Sequence, residues 1–139
     1  MKGRLYLAVG LGSGLGGSCR WWLGLAADHY IAGSFPWGTL LANISGCLLI
    51  GLYAAMTVAS GRLLASPVQR QFVMGGFCGG YTSFSVFSLE NLQLAQSGQG
   101  EMAALYTAVS IASWLLAVWL GFGAGSAWRR RHPPAPEQA

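Results

Sequence analysis

Charge is scarce in this 139-residue chain: Asp, Glu, Lys and Arg together make up 9% of it. A soluble domain carries about 25%. Lipid, not water, is therefore the expected solvent. Acidic residues number only four and histidines two, which excludes several kinds of chemistry. No cluster of carboxylates exists to hold a hydrolytic metal. An intramembrane protease needs a histidine or paired acids at depth, but His29 and His132 both fall outside the apolar stretches. Cysteine is also sparse. Cys19, Cys47 and Cys78 are odd in number, lie inside apolar stretches and match no zinc spacing, so they read as small buried residues. The chain is expected not to be an enzyme.

What is present is hydrophobic: 53% of the residues. A membrane-spanning helix needs roughly 20 mostly apolar residues. Four stretches meet that length, at 5–27, 37–59, 68–95 and 102–127. They make residues 1–127 one all-α, four-helix transmembrane domain and leave 128–139 as a basic, proline-rich tail, expected to be disordered. Pro36 and Pro67 stand just before the second and third stretches, a good helix-start position. Lys2 and Arg4 precede the first stretch as in a signal peptide, but it is too long and too glycine-rich, and Ser18-Cys19-Arg20 is a poor cleavage site.

The basic residues are unevenly placed. Lys2, Arg4, Arg62, Arg70, Arg129, Arg130 and Arg131 fall on one side of a four-span topology, and Asp28 and Glu101 on the other. Positive charge marks the cytoplasmic side, so both termini are expected there. This patch reads as topology and not as a nucleic-acid site.

The third stretch is unusual. It runs Gly75-Gly76-Phe77-Cys78-Gly79-Gly80-Tyr81-Thr82-Ser83-Phe84-Ser85-Val86-Phe87-Ser88. Each glycine weakens a helix by roughly 1 kcal/mol relative to alanine. A helix break is therefore expected at the glycine-rich segment. Broken backbone at membrane depth survives only when buried in protein or lining a cavity. Gly12-Ser13-Gly14-Leu15-Gly16-Gly17 fits a dinucleotide-binding pattern but lies inside a span, where that motif cannot work. The pairs Gly10/Gly14, Gly12/Gly16, Gly75/Gly79 and Gly121/Gly125 read instead as faces for close helix approach. Asn43-Ile44-Ser45 resembles a glycosylation acceptor, again inside a span.

A few polar residues in these spans can carry chemistry. Asn43 is either a hydrogen bond between helices or a donor to a permeating anion. Phe84 and Phe87, three residues apart, share a helix face, and a phenyl ring has a positive edge that can favour an anion. Thr107 and Ser110 put hydroxyls into the fourth span. Arg20 must snorkel or face a vestibule, and Glu90 either pairs with a donor or marks a helix end.

Three segments resemble the Fluc (CrcB) family of fluoride channels: Gly16-Gly17-Ser18-Cys19-Arg20-Trp21, the run from Pro36 to Gly46 that holds Asn43, and Gly76 to Glu90. The resemblance spans 10–125. It implies an antiparallel dual-topology dimer with two narrow fluoride pathways, in a bacterial inner membrane. It implies pathway residues Asn43, Phe84, Phe87, Ser83, Ser85 and Ser110, with Thr107 as a further polar position of the fourth span and Arg20 and Glu90 at a vestibule. It further implies a structural sodium ion at the dimer centre, held by backbone carbonyls of Gly79 and Thr82. The function so implied is passive export of fluoride.

Two features depart from the family. Ser83 and Val86 stand where the common run has threonines, and Val86 loses the hydroxyl. The basic residues are also more one-sided than a dual-topology homodimer needs. This leaves open an antiparallel homodimer or a heterodimer with an oppositely oriented paralogue. The alternatives to a channel are a small proton-coupled multidrug exporter and a non-transporting scaffold subunit. The exporter wants a carboxylate in the first span, and Asp28 lies beyond its end.

Overall fold

A computed structural model describes residues 2–31, 33–58 and 66–131. Helix α1 is Lys2–Tyr30 and α2 is Trp37–Val58. The third stretch begins as α3, Pro67–Arg70, widens into a π-helical segment, Gln71–Cys78, and closes with α4, Gly79–Tyr81. Helices α5, Phe84–Gln96, and α6, Gly100–Arg131, complete the chain. No strand occurs among the described residues.

Three helical stretches are long and apolar enough to cross a membrane: Trp37–Thr57, Pro67–Gln96 and Gly100–Arg131. The 29-residue α1 is long enough, but its glycines and Arg20 dilute its apolar character and it does not join them on hydropathy. The protein is thus an all-helical, multi-pass membrane protein with three clear spans where the sequence suggested four.

Local sequence sets the element ends. Ser66 and Gln69 form a reciprocal capping box that starts α3, with Pro67 in its first turn. Helix α5 stops in a Schellman turn: Gln99 N–H donates to Leu94 O at 2.9 Å and Gly98 N–H to Ala95 O at 3.2 Å. Gly98 supplies the positive φ of 80° that this turn requires. The next helix, α6, begins two residues later and runs to Arg131, past the boundary at 127 drawn from hydropathy; arginines suit a helix C-terminus, where they meet the negative end of its dipole. Arg62 and the tail from His132 onward lie outside the described residues.

The break in the third stretch is displaced from the expected position. Gly75, Gly76, Gly79 and Gly80 all remain helical, and the chain leaves the helix at Thr82 and Ser83, both extended. The glycines serve packing instead. A Cβ on Gly12 or Gly16 would collide with the backbone of Phe72 or Phe77. On the facing side, a Cβ on Gly76 would lie 2.9 Å from Val9 O, and one on Gly80 would strike Ser13. So α1 and the broken span meet backbone to backbone, as small residues permit in lipid. The same device joins α2 to α6, where Gly51 faces Val118, Gly121 faces Leu48 and Gly125 faces Leu52. Two expected pairs are corrected: Gly10 and Gly14 face open space, and Gly76/Gly80, not Gly75/Gly79, make the close approach.

These contacts sort the chain ends. Arg129 donates to Ala55 O at 2.9 Å, and Arg4, Tyr53, Val68 and Gln69 line one cavity. The start of α1, the ends of α2 and α6, and α3 therefore share one end of the molecule. At the opposite end Ser34 donates to Gln99 across 3.3 Å, near Asp28 and Glu101. Toward that end Leu40, Phe87, Leu94, Ala103 and Tyr106 form a buried cluster under the site.

Candidate functional site

The break at Thr82–Ser83 strips backbone groups of their helical partners, and specific side chains replace them. Asn43, on α2 and 4% exposed, grips Ser83 from both sides. Ser83 N–H donates to Asn43 Oδ1 at 2.8 Å, and Asn43 Nδ2 donates to Ser83 O at 3.3 Å. The Ser83 side chain caps α5, accepting from Val86 N–H at 3.1 Å, and lies 3.2 Å from Ser85 Oγ. Such an N-cap stabilises a helix start by about 1 kcal/mol. Thr82 Oγ1 donates back to Cys78 O at 2.9 Å, closing the segment before the break. Gly46 is required opposite, because a Cβ there would strike the Thr82 methyl.

This arrangement leaves two carbonyls deprived. A continuous helix would bring Ser83 N–H to Gly79 O and Val86 N–H to Thr82 O. Both amides donate elsewhere, to Asn43 and to Ser83 Oγ. Gly79 and Thr82 thus offer hard oxygen atoms beside the break.

The paired phenylalanines follow directly. Phe84 is 71% exposed and Phe87 only 5%, with ring centroids 5.6 Å apart. Phe87 packs against Tyr106 at 5.1 Å and Trp114 at 4.9 Å, the latter edge to face. Ser110, one turn from each of these aromatics on α6, is fully buried, and its hydroxyl oxygen has no hydrogen-bond partner among the described residues. A cavity of about 270 Å³ adjoins the break, lined in part by Asn43, Gly79, Thr82, Phe84 and Trp114.

Glu90 lies deeper along α5 and is held by two hydroxyls from different helices. Thr39 Oγ1 donates to its Oε1 at 2.7 Å and Tyr106 Oη to its Oε2 at 2.8 Å. Beside it Asn91 donates to Thr107, which in turn donates to Ala103 O at 2.9 Å. Arg20 is half-buried on α1, and its Nε has no partner among the described residues.

Asn43, Ser83, Ser85, Phe84 and Phe87 are therefore brought together at one break, Ser110 lies between the two α6 aromatics that pack on Phe87, and Glu90 sits in a separate hydroxyl clamp. Sequence reasoning missed Thr39, Tyr106 and Trp114. The available signal was the carboxylate itself: an acid half-buried in a span demands donors.

Fold and site together define a multi-pass helical membrane protein with a polar break inside an apolar span. The chain belongs to the CrcB family: the family described as CrcB-like protein, Camphor Resistance (CrcB), matches residues 7–122. The fluoride-specific ion channel FluC 1 of Rhodopseudomonas palustris (strain BisB18) is 48% identical over 120 residues, covering 86% of this chain and 85% of the relative. The protein of the same name from Bradyrhizobium diazoefficiens is 48% identical over 126 residues, 91% and 87% of the two chains. The fluoride-specific ion channel FluC of Rhodospirillum rubrum is 49% identical over 116 residues, 84% and 90%.

Proposed function

We propose that this chain forms a passive, fluoride-selective channel that lets fluoride leave the cell and relieves its toxicity. The observation that carries the reading is the break at Thr82–Ser83, held by Asn43 and flanked by Phe84, Phe87 and the unpaired hydroxyl of Ser110. The names of the similar proteins supply the anion. Fluoride is small and strongly hydrated, so close donors must offset its dehydration. Hydroxyls and amides do this without the tight hold of a lysine or arginine ring, and conduction needs binding weak enough to release. Phe84 and Phe87 contribute ring edges of positive potential. Ser83 and Ser85 line the approach, and Arg20 and Glu90 support its mouths. In acid surroundings fluoride enters as neutral HF and is trapped inside as the ion. A passive pore in a bacterial inner membrane then exports it down the membrane potential.

The functional unit in this reading is a dimer of two oppositely oriented four-span chains, either identical or a pair of paralogues. The exposed Phe84 and the open cavity beside it suit a site completed by a second chain. A sodium ion fits between the two breaks. The carbonyls of Gly79 and Thr82 have lost their helical donors, and oxygen atoms of this kind suit a hard cation. Sodium there would fix the geometry of the two chains and balance the deprived carbonyls.

Efflux from liposomes holding the purified protein tests the reading, with a fluoride electrode and chloride as control anion. Rapid fluoride loss without chloride loss is expected. Retention of fluoride by liposomes containing folded dimer would refute it.

A further inference from the structure

We infer that the indole N–H of Trp114 is a second buried donor to the permeating anion, acting together with Ser110; this rests on the fluoride reading above. Ser110 and Trp114 are four residues apart on α6 and so lie on one face, a turn from each other. Both Ser110 Oγ and Trp114 Nε1 are buried and without a hydrogen-bond partner among the described residues. A buried donor left unpaired is costly, and native proteins rarely keep one without a water or ion to meet it. Indole can only donate, so its partner must be an acceptor.

The surroundings point to where that acceptor lies. Trp114 lines the 270 Å³ cavity that Asn43, Thr82 and Phe84 also line. Its ring meets Phe87 nearly perpendicular, at 75°, so the indole is fixed against the ring proposed to face fluoride. An anion leaving the Asn43 end of the break would then find a hydroxyl and an indole N–H in succession on α6. Tryptophan is a suitable donor for this purpose because it carries no charge that would hold the ion. It also excludes water with its apolar body.

The competing role for Trp114 is to fill space. Trp114→Phe separates the two, because phenylalanine keeps an aromatic filler and deletes the N–H. Site-specific replacement by benzothienylalanine, which swaps the N–H for sulfur at nearly unchanged shape, serves if the phenylalanine variant does not fold. Fluoride efflux from liposomes is measured alongside elution as a dimer and thermal midpoint in detergent. The expected result is a fall in fluoride efflux of roughly tenfold or more, the scale of one lost hydrogen bond to a charged group, with dimer and midpoint unchanged. Efflux within about twofold of the unsubstituted protein would overturn the inference while leaving the fluoride reading standing. Loss of efflux only together with loss of the dimer would overturn it in favour of packing. Unsubstituted protein that conducts no fluoride would overturn the parent reading and this one with it.

Discussion

Asn43 fills one of the two roles that the sequence presented as alternatives, and the other is the one proposed for it above. It is a hydrogen bond between helices, because both its amide atoms are engaged by Ser83. It also lines the cavity beside the break. Replacing it separates the roles. Asn43→Ala leaves Ser83 N–H without its partner, at roughly 1–3 kcal/mol, and leaves Ser83 C=O with Phe87 N–H as its remaining donor. The variant should unfold at a clearly lower temperature in detergent and lose efflux. Asn43→Asp keeps the acceptor for Ser83 N–H, so it should unfold closer to the parent while its negative charge suppresses fluoride flux. Thermal melts of the two variants side by side check this; equal melting of Asn43→Ala and the parent would contradict the clamp. The residues found by sequence were those with a distinctive pattern: Asn43, the Phe84/Phe87 pair and the hydroxyls. Thr39, Tyr106 and Trp114 were not legible, because their roles depend on partners brought from other helices. Thr39 and Tyr106 are 51 and 16 residues away from Glu90.

At the scale of elements, the glycines were legible as a signal but not in their location of effect. Propensity alone puts the break among Gly75–Gly80, since it counts only what each residue costs a helix. Tertiary packing overrides it: Gly76 and Gly80 are held in the helix by close approach of α1, and Asn43 and the Ser83 cap decide where the chain opens. The spacing of small residues likewise nominated four pairs, without saying which face meets a neighbour. A paired substitution tests the assignment. Gly12→Leu should abolish the monodisperse folded peak in size exclusion, since any side chain there strikes the backbone of the broken span. Gly14→Leu, facing open space in the single chain, should leave the chain folded. If the two behave alike, the packing of α1 is misassigned.

For the whole molecule, the charge asymmetry first seen in sequence has a structural counterpart. Arg4, Arg70 and Arg129 to Arg131 gather at one end, and Asp28 and Glu101 lie at the other. A bias this strong favours one orientation in the membrane. Reporter fusions at the C-terminus read the orientation directly. Signal from the cytoplasmic side alone is expected if the chain pairs with an oppositely oriented paralogue, and excludes an antiparallel homodimer. Signal from both sides supports the homodimer. The number of spans was also only partly legible: α1 has the length of a span, but it trades hydropathy for the glycines that dock it.

The most direct test of selective passive conduction is the reversal potential across a planar bilayer holding the protein, with fluoride and chloride gradients set in opposite directions. A selective fluoride pore predicts reversal near the fluoride equilibrium potential, unmoved when a proton gradient is added. Reversal near the chloride potential, or a shift with the proton gradient, would contradict it and point to an unselective pore or to a coupled exporter.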